Sequence, residues 1–284
     1  MTTLAIVSPG AMGSALGRAW AAGGARVVAT VDGRSERTRD LAQGLELLPT
    51  LRDAVTAADI VVSICPPAAA AGVMADVIAA AGTARPLLVD LNAVSPDTVR
   101  GVESLAHESG FSVVDGSVSG PPPRPGGDTL LYLSGAAADV VARLPTDGTR
   151  SRVVGGEVGS ASAVKMCSAS VYKGTTAIWA QALQTAQTHG VLDVLLDDLA
   201  EEHPDQVATA ARRIAIASSK AHRFVAEMEE IAATQAAAGA SGELFEGMAA
   251  VYRRLAGTDL AALPPERAAD VTELADVLRR LSAD

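Results

Sequence analysis

Residues 4–17 read LAIVSPGAMGSALG, and this stretch decides the fold class. The apolar run Leu4–Val7 predicts a buried strand, and Ala11–Ala22 predicts the helix that follows it. The turn between them contains Gly10 and Gly13, where a dinucleotide-binding fold keeps its phosphate loop. Free N–H groups at the start of the helix would hold the phosphate charge. We therefore expect the cofactor-binding residues of this loop to be Ser8, Gly10, Ala11, Met12 and Gly13.

The loop departs from the usual three-glycine pattern at its first position, where Ser8 stands. Pro9 biases the residue before it towards extended backbone, which the end of a strand accepts without glycine. An ordinary strand–turn–helix connection is the competing interpretation of the glycines alone. The order of strand, turn, helix and second strand favours the dinucleotide loop.

Short apolar runs alternate with helical segments in the first half of the chain, which predicts a parallel, doubly wound α/β sheet. The predicted strands are Leu4–Val7, Arg26–Val31, Ile60–Ile64, Leu87–Leu91, Phe111–Val114, Thr129–Ser134 and Arg152–Val154, and the helices between them are Ala11–Ala22, Ala68–Ala81 and Pro96–Glu108. Beyond Glu157 only helices are predicted, over Ser160–Thr188, Pro204–Ala238, Leu244–Leu255 and Pro265–Leu281. We expect an N-terminal Rossmann domain over residues 1–156 and an all-α C-terminal domain over residues 157–284.

The composition limits the classes of function. A chain of 284 residues with 49% hydrophobic residues can bury a core, and its net charge of −10 argues against nucleic-acid or anionic-membrane partners. Cys65 and Cys167 form neither a disulfide framework nor a four-ligand zinc site, and the four histidines share no metal-ligand spacing. We expect no metal, no export or membrane-spanning segment, and a cytoplasmic location.

The end of the second predicted strand carries two competing cofactor signals. Asp32 could accept hydrogen bonds from a ribose 2′-hydroxyl, which would indicate NAD. Arg34, Ser35 and Arg37 could instead hold a 2′-phosphate, which would indicate NADP. A solvated turn in which Ser35 caps the next helix is the structural alternative. We favour NADP because Arg34 and Ser35 lie just beyond the strand.

Lysine is scarce in this chain, with 20 arginines and only Lys165, Lys173 and Lys220. On the predicted helix after Gly159, the polar residues that share one face are Lys165, Ser168, Tyr172 and Thr176. A buried lysine needs a partner or a function, and burial lowers its pKa towards the range useful for proton transfer. A lysine on a solvated helical stripe is the alternative. We expect Lys165 to be catalytic, with Ser168 and Tyr172 as weaker candidates.

A segment rich in serine and glycine, Asp115–Gly120, follows the apolar run Phe111–Val114. Loops at the carboxyl ends of parallel strands bind ligands in open α/β sheets. Ser119 and the N–H of Gly120 could hold a carboxylate, with Ser117 nearby. A stiff surface loop rich in proline and glycine is the alternative.

These motifs together resemble those of the β-hydroxyacid dehydrogenases, the superfamily of 3-hydroxyisobutyrate dehydrogenase and 6-phosphogluconate dehydrogenase. The stretches that match, in chain order, are Gly10–Gly17, Asp90–Pro96, Asp115–Gly120 and Gly159–Lys165. The pattern of Lys165-Met166-Cys167, Lys173-Gly174 and Glu227–Ala232 resembles a bacterial branch with a poorly characterised C-terminal domain.

The resemblance implies a role for each matching position. Cys65, Pro66 and Asn92 would line the nicotinamide, and Ser119 and Gly120 would bind the substrate carboxylate. Lys165 would be the general acid/base, and Arg34-Ser35 matches the NADP-type dipeptide. Lys173 is not part of these matching stretches; from its place on the predicted helix, eight residues after Lys165, it would contact substrate or cofactor, or have a structural role. The relatives also imply a homodimer through the helical domain.

Two positions depart from the family pattern, so the resemblance does not name the substrate. Ser168 stands where the family has asparagine, and Glu229-Glu230 replaces a Lys-Asp pair. The function we expect is hydride transfer between nicotinamide and a small hydroxy or oxo acid. The alternatives are reduction of a C=N substrate by an imine reductase-like enzyme, with Tyr172 as proton donor, and a nucleotide sensor without catalysis.

Overall fold

The computed structural model describes residues 1–282 and divides into two compact units, Met1–Met166 and the residues from Cys167 onward. The division lies inside one long helix, Ser160–Thr188, whereas the sequence composition changes near residue 156. Among the described residues, no helix is long and apolar enough to cross a membrane.

The first unit is built on one eight-stranded sheet. The strands are β1 (Thr3–Val7), β2 (Arg26–Ala29), β3 (Glu46–Leu47), β4 (Ile60–Ser63), β5 (Leu87–Asp90), β6 (Val113–Ser119), β7 (Thr129–Ser134) and β8 (Thr149–Gly155). Their order in the sheet is β3-β2-β1-β4-β5-β6-β7-β8. All neighbouring strands are parallel except β6 and β7, which confirms the predicted α/β class.

Six helices connect these strands: α1 (Ala11–Ala22), α2 (Glu36–Leu41), α3 (Leu51–Thr56), α4 (Ala70–Ala81), α5 (Pro96–Glu108) and α6 (Ala138–Ala142). The sequence predicted α1 and α5 with these bounds, and α4 apart from a 3₁₀ turn at Pro67–Ala69. It missed α3, α6 and β3 because each is too short to show a periodic pattern, and it included α2 only in the alternative in which Ser35 caps a helix. A capping box between Thr50 and Asp53 nevertheless marks the start of α3.

Apolar side chains cover both faces of the sheet, as a parallel sheet requires. Along β1, Leu4 and Ile6 belong to one buried cluster, and Ala5 and Val7 belong to another on the opposite face. This alternation follows from the two-residue period of a strand. Trp20 of α1 is 1% exposed in the first cluster and fixes that helix against the sheet.

Strand β6 differs from the expectation of a short strand followed by a loop. The strand runs over Val113–Ser119, so Asp115 and Ser117 lie within the sheet. Antiparallel pairing with β7 causes the extension, with Asp115 opposite Ser134 and Ser119 opposite Leu130. The first residues of the predicted binding loop are therefore rigid strand residues.

The second unit is helical, and no strand occurs among its described residues. Helix α7 (Ser160–Thr188) has the predicted bounds and crosses the division between the units. The later helices are α8 (Leu192–Glu202), α9 (Pro204–Ser218), α10 (Ala221–Ala237), α11 (Glu243–Ala256), α12 (Pro265–Ala268) and α13 (Leu274–Leu281).

The predicted continuous helix Pro204–Ala238 is wrong, because α9 ends at Ser218 and α10 begins at Ala221. The Ser219 hydroxyl donates to the carbonyl of Ile216 at 2.8 Å, and such a bond competes with the helical pattern. The predicted helix Pro265–Leu281 is likewise two helices, α12 and α13. Helix α8 was not predicted.

Candidate active site

The predicted cofactor and substrate positions follow four neighbouring parallel strands, β1, β4, β5 and β6. Parallel strands end at the same edge of a sheet, so this edge collects Ser8, Cys65, Asn92 and Gly120. Strand β1 has β2 on one side and β4 on the other, which is the reversal of strand order where open α/β sheets bind ligands.

The glycine loop after β1 has the space and the close packing of a phosphate-binding turn. A Cβ at Gly10 would meet nothing within 4 Å, so a ligand can approach its backbone. A Cβ at Gly13 would lie 2.9 Å from Ile64 Cγ2 and 3.0 Å from the carbonyl of Ser8, so only glycine fits there. Helix α1 starts at Ala11 without a side-chain cap, which leaves its first N–H groups for an anion.

Ser8 does not have the extended backbone that its neighbour Pro9 led us to expect. Its φ is 66°, and it is the one non-glycine with positive φ among residues 1–282. Its hydroxyl is buried and has no hydrogen-bond partner within the described protein. An unpaired hydroxyl beside an open glycine and an uncapped helix start fits the phosphates of a dinucleotide.

Asn92 positions the loop after β4 and is not itself exposed. Its side chain is 1% exposed, and its Oδ1 accepts from the N–H of Cys65 at 2.6 Å. Its amide donates to Asp90 Oδ2 at 2.8 Å and to Ser63 Oγ at 3.2 Å. These bonds occupy the amide, so Asn92 holds the Cys65-Pro66 segment in place, and its contact with the nicotinamide stays a prediction.

Burial is the largest influence on the pKa values of Asp90 and Cys65 in this network. It raises the pKa of the Asp90 carboxyl to about 6, against the opposing effect of the two hydrogen bonds from Asn92. Burial also raises the pKa of the Cys65 thiol to about 11, so this cysteine is a poor nucleophile at neutral pH. The lining of the nicotinamide by Cys65 and Pro66 stays a prediction.

The turn after β2 exposes both the residue that would indicate NAD and the residues that would indicate NADP. Asp32, Arg34, Ser35 and Arg37 are all exposed, and the N–H of Arg34 donates to the carbonyl of Val31. The Ser35 hydroxyl accepts from the N–H of Thr38 at 3.3 Å and thereby caps α2. This geometry is compatible with both NAD and NADP.

Lys165 lies beside the end of β6. Its Nζ donates to the carbonyl of Val118 at 2.7 Å, next to Ser119 and Gly120. Burial lowers the pKa of this ammonium below its ordinary value. The first unit therefore brings together a lysine and the serine–glycine pair that were expected to act on a substrate.

Asp115 fixes the start of the helix that carries Lys165. Its Oδ2 accepts from the N–H groups of Gly159 and Ser162 at 2.9 and 3.0 Å and from Ser134 Oγ at 2.8 Å. Its Oδ1 accepts from Ser162 Oγ at 2.7 Å. Sequence reasoning gave this residue no role of its own, although an aspartate directly after the apolar run Phe111–Val114 indicates buried donors around it.

The predicted substrate residues of β6 have different surroundings. Ser117 is 1% exposed and donates to the carbonyl of Ala161 at 2.9 Å, so its hydroxyl joins strand to helix, and its contact with substrate stays a prediction. Ser119 is half-buried at the strand end, and Gly120 is exposed with a φ of 116°. Ser119 and Gly120 remain the candidates for binding a carboxylate.

Three further predicted residues belong to the second unit. Ser168 is half-buried, and the Tyr172 side chain is 70% exposed. Lys173 forms a buried ion pair with Glu227 and lies over the Phe224 ring, 4.2 Å from its centroid. These contacts give Lys173 a structural role within the helical unit. No cluster of possible metal ligands occurs among the residues that the structure describes.

Comparison with known families gives two matches that together cover most of the chain. A family described as the NAD binding domain of 6-phosphogluconate dehydrogenase matches residues 3–146. A domain of unknown function (DUF1932) matches residues 186–255. An uncharacterized 28.5 kDa protein of Methanothermus fervidus is 32% identical over 174 residues. That match covers 60% of this chain and 66% of the relative, slightly less than two thirds of its length.

Solved structures with similar folds cover nearly the whole chain. A conserved protein reported to resemble 3-hydroxyacid dehydrogenases is 27% identical, with a TM-score of 0.67 over 89% of this chain and 96% of its own. The 3-hydroxyisobutyrate dehydrogenase of Mycobacterium tuberculosis, solved with L-serine, is 22% identical, with a TM-score of 0.69 over 100% of both chains. An imine reductase of Myxococcus stipitatus, solved with NAD+, is 24% identical, with a TM-score of 0.57 over 99% of both chains.

Proposed function

Because this chain belongs to the β-hydroxyacid dehydrogenase superfamily, with a nicotinamide-dinucleotide domain and an uncharacterised C-terminal domain, we propose that it is an NADP-dependent oxidoreductase acting on a small hydroxy or oxo acid. The observation that carries this proposal is the position of Lys165. Its Nζ lies 2.7 Å from the carbonyl of Val118, beside Ser119 and Gly120, with a pKa lowered by burial.

The residues that would hold the cofactor are those of the glycine loop and the turn after β2. Gly10 leaves room for a pyrophosphate, and the uncapped start of α1 presents N–H groups to its charge. Arg34, beside Ser35, offers a planar guanidinium for a 2′-phosphate. When bound, the nicotinamide supplies or accepts the hydride.

Lys165 moves the proton in this scheme. In the reductive direction its ammonium donates a proton to the carbonyl oxygen of the substrate, and in the oxidative direction its amine takes the proton of the hydroxyl. Because the lowered pKa is closer to neutral pH, both the ammonium and the amine form of Lys165 are more accessible there, which favours proton transfer in either direction.

Ser119 and Gly120 would orient the substrate acid. The Ser119 hydroxyl and the Gly120 N–H can donate to one carboxylate, and such paired donors form a small anion nest. Gly120 has a φ of 116°, a conformation that other residues rarely adopt. Fixing the carboxylate this close to Lys165 would hold the reacting carbon in a defined orientation.

Imine reduction is the second candidate because of one observation. Tyr172 is 70% exposed and its hydroxyl makes no hydrogen bond in the described protein, so it could donate a proton to a C=N substrate. Lys165 favours the hydroxy/oxo reaction, since it offers the proton-transfer group of that chemistry.

A substrate panel separates these functions. Purified protein is mixed with NADPH or NADH and with small oxo acids or cyclic imines, and the loss of reduced nicotinamide is followed by absorbance. We expect NADPH to be oxidised with oxo acids. Turnover of imines alone would support the second candidate, a preference for NADH would contradict the NADP assignment, and cofactor binding without turnover would indicate a sensor.

We also propose a homodimer through the helical unit. Large apolar side chains of this unit are strongly exposed in the single chain, with Ile178 57%, Val194 72% and Leu244 57% exposed. Helix α8 has no fully buried residue, and a groove of about 720 Å³ lies between α7, α8 and α11. A second copy would bury these surfaces.

A further inference from the structure

The helical unit contains a second cavity, distinct from the α8 groove, whose polar groups are mainly donors. It has a volume of about 550 Å³ and lies between α7, α9 and α10. This size is within the usual range for small-molecule sites. Its lining residues are Val171, Tyr172, Thr175, Thr176, Gln206, Arg213, Ile216, Ala217 and Phe224.

Arg213 is the one charged residue among these lining residues of the described chain. The guanidinium is half-buried and donates to Thr176 Oγ1 at 3.3 Å. It forms no salt bridge with a carboxylate of residues 1–282. A guanidinium has five N–H donors, so most of its hydrogen-bonding capacity is unused. A partly desolvated cation without a counter-ion favours an anionic ligand.

Two of the neighbouring polar groups, Gln206 and Thr176, reinforce this preference because their side-chain oxygens already accept hydrogen bonds. Gln206 Oε1 accepts from Trp179 Nε1 at 3.0 Å, which leaves the amide N–H groups of Gln206 available. The Thr176 hydroxyl accepts from Arg213 and donates to the carbonyl of Tyr172 at 3.0 Å. The cavity therefore offers donors to a ligand, and its charge is positive although the whole chain carries −10.

Lys173, which lies next to Tyr172 on α7, does not add a second positive charge. Lys173 is neutralised by Glu227, whose side chain is 5% exposed. One uncompensated guanidinium matches a monoanion better than a phosphate dianion. The walls formed by Val171, Ile216 and Phe224 can cover an apolar body.

We propose that this cavity binds an organic monocarboxylate, with the carboxylate on Arg213 and the Gln206 amide and the apolar chain against Phe224, Ile216 and Val171. Arginine pairs with a carboxylate through two parallel hydrogen bonds, which fixes the orientation of the acid. The ligand would be a straight-chain or aryl-substituted acid of medium length. This assignment does not rest on the proposed reaction.

The test is calorimetric titration of the full-length protein without nicotinamide. The probes are octanoate and 4-phenylbutanoate, with octanamide as a neutral molecule of the same length. We expect both acids to bind and octanamide to bind at least about tenfold more weakly, because it lacks the charge that Arg213 pairs with. Equal affinity for octanoate and octanamide, or no binding of either acid, would overturn the proposal.

Two neighbouring arginines provide matched variants. Arg213→Met should weaken octanoate binding about tenfold or more, whereas Arg212→Met, at the exposed position beside it, should leave the affinity unchanged. Equal losses in both variants would indicate a nonspecific charge effect and reject the site. Sedimentation of the same variants checks one further outcome. If wild type binds no acid and Arg213→Met alone dissociates a dimer, the proposal is overturned and the partner of Arg213 is a second copy of this chain.

The bound acid could be a substrate or a separate effector, and both share this chemistry. Adding NADPH and 2-oxooctanoate to the wild type distinguishes them. Oxidation of NADPH that is lost in Arg213→Met and kept in Arg212→Met makes the cavity a substrate site. Binding of octanoate to Arg213 without any such dependence of turnover makes it an effector site. Failure of the proposed reaction leaves the calorimetric result unaffected.

Discussion

Ser8 combines two unfavourable features in one residue. A φ of 66° is the left-handed region, which costs an L-residue about 1–2 kcal/mol relative to right-handed geometry. Its buried hydroxyl has no partner in the described protein, and burial of an unpaired hydroxyl is also unfavourable. Such strain concentrates at ligand sites. We infer that the position is kept for contact with the cofactor rather than for stability.

Replacing Ser8 with glycine should stabilise the cofactor-free protein. Glycine removes both the backbone strain and the unpaired hydroxyl, at the cost of a more flexible unfolded chain, so we expect the free energy of unfolding to rise by about 1 kcal/mol. Urea denaturation measures this change. A lower free energy of unfolding for Ser8→Gly would contradict this account, and Ser8→Ala, which keeps the strain, is the control.

Asp90 should make stability depend on pH. Burial raises the carboxyl pKa from 3.8 to about 6, so the folded protein binds this proton more tightly than the unfolded chain. The contribution of Asp90 to the free energy of unfolding is therefore greatest at low pH and is lost as pH rises through about 6. Between pH 5 and 7.5 the free energy of unfolding of wild type should fall by about 1–2 kcal/mol relative to Asp90→Asn. A constant difference would show that Asp90 titrates normally.

The sequence indicates some of these residues but not their networks. Lys165, Ser119 and Gly120 match family positions, so their proximity follows from the resemblance. The contacts of Asp115 join residues 44 and 47 positions apart, and the contact of Asn92 with Cys65 spans 27. Such contacts depend on how strands and helices pack, which local patterns do not encode. For the same reason the sequence did not predict the hydrogen bonds that Ser117 and Asn92 make within the protein.

At the scale of elements, helix α7 is fixed at its start by a single carboxylate. Asp115 of β6 accepts from two N–H groups and one hydroxyl near this start, and from the hydroxyl of Ser134 on β7. A negative charge at a helix start is favourable because of the orphan N–H groups there. Asp115 therefore fixes the first turn of the helix that carries Lys165.

Removing this anchor should be costly. Asp115→Ala leaves several buried donors without an acceptor, so we expect the free energy of unfolding to fall by about 3 kcal/mol or more. The matched control is Asp97→Ala, whose exposed pair with Arg100 should contribute less than about 1 kcal/mol. Thermal and urea unfolding compare the two variants. Equal small losses would show that Asp115 does not anchor α7.

Elements were predictable where their pattern is long or continuous. Helices α1, α5 and α7 have the bounds expected from their sequence, because an apolar period and clear ends define them. The break at Ser219-Lys220 was missed because neither residue is a strong helix breaker. The extension of β6 was missed because it depends on pairing with β7.

The proposed homodimer would cover the exposed apolar side chains of the helical unit. Val194→Glu places a charge on α8 in the proposed dimer surface, so it should convert the dimer to monomer. Val140→Glu is the control, since Val140 is 46% exposed on α6 of the other unit. Sedimentation velocity measures the masses. A monomeric wild type, or a dimer unaffected by Val194→Glu, would contradict the proposed surface.

Lys165 is proposed to transfer the proton in a nicotinamide-dependent reaction, and its replacement by methionine tests this role. NADPH oxidation with the best oxo acid and NADPH affinity are measured for wild type, Lys165→Met and the control Lys220→Met. We expect Lys165→Met to lose about 10²–10⁴-fold in turnover with unchanged NADPH affinity, and the control to behave like wild type. Near-normal turnover of Lys165→Met would remove this lysine from the mechanism.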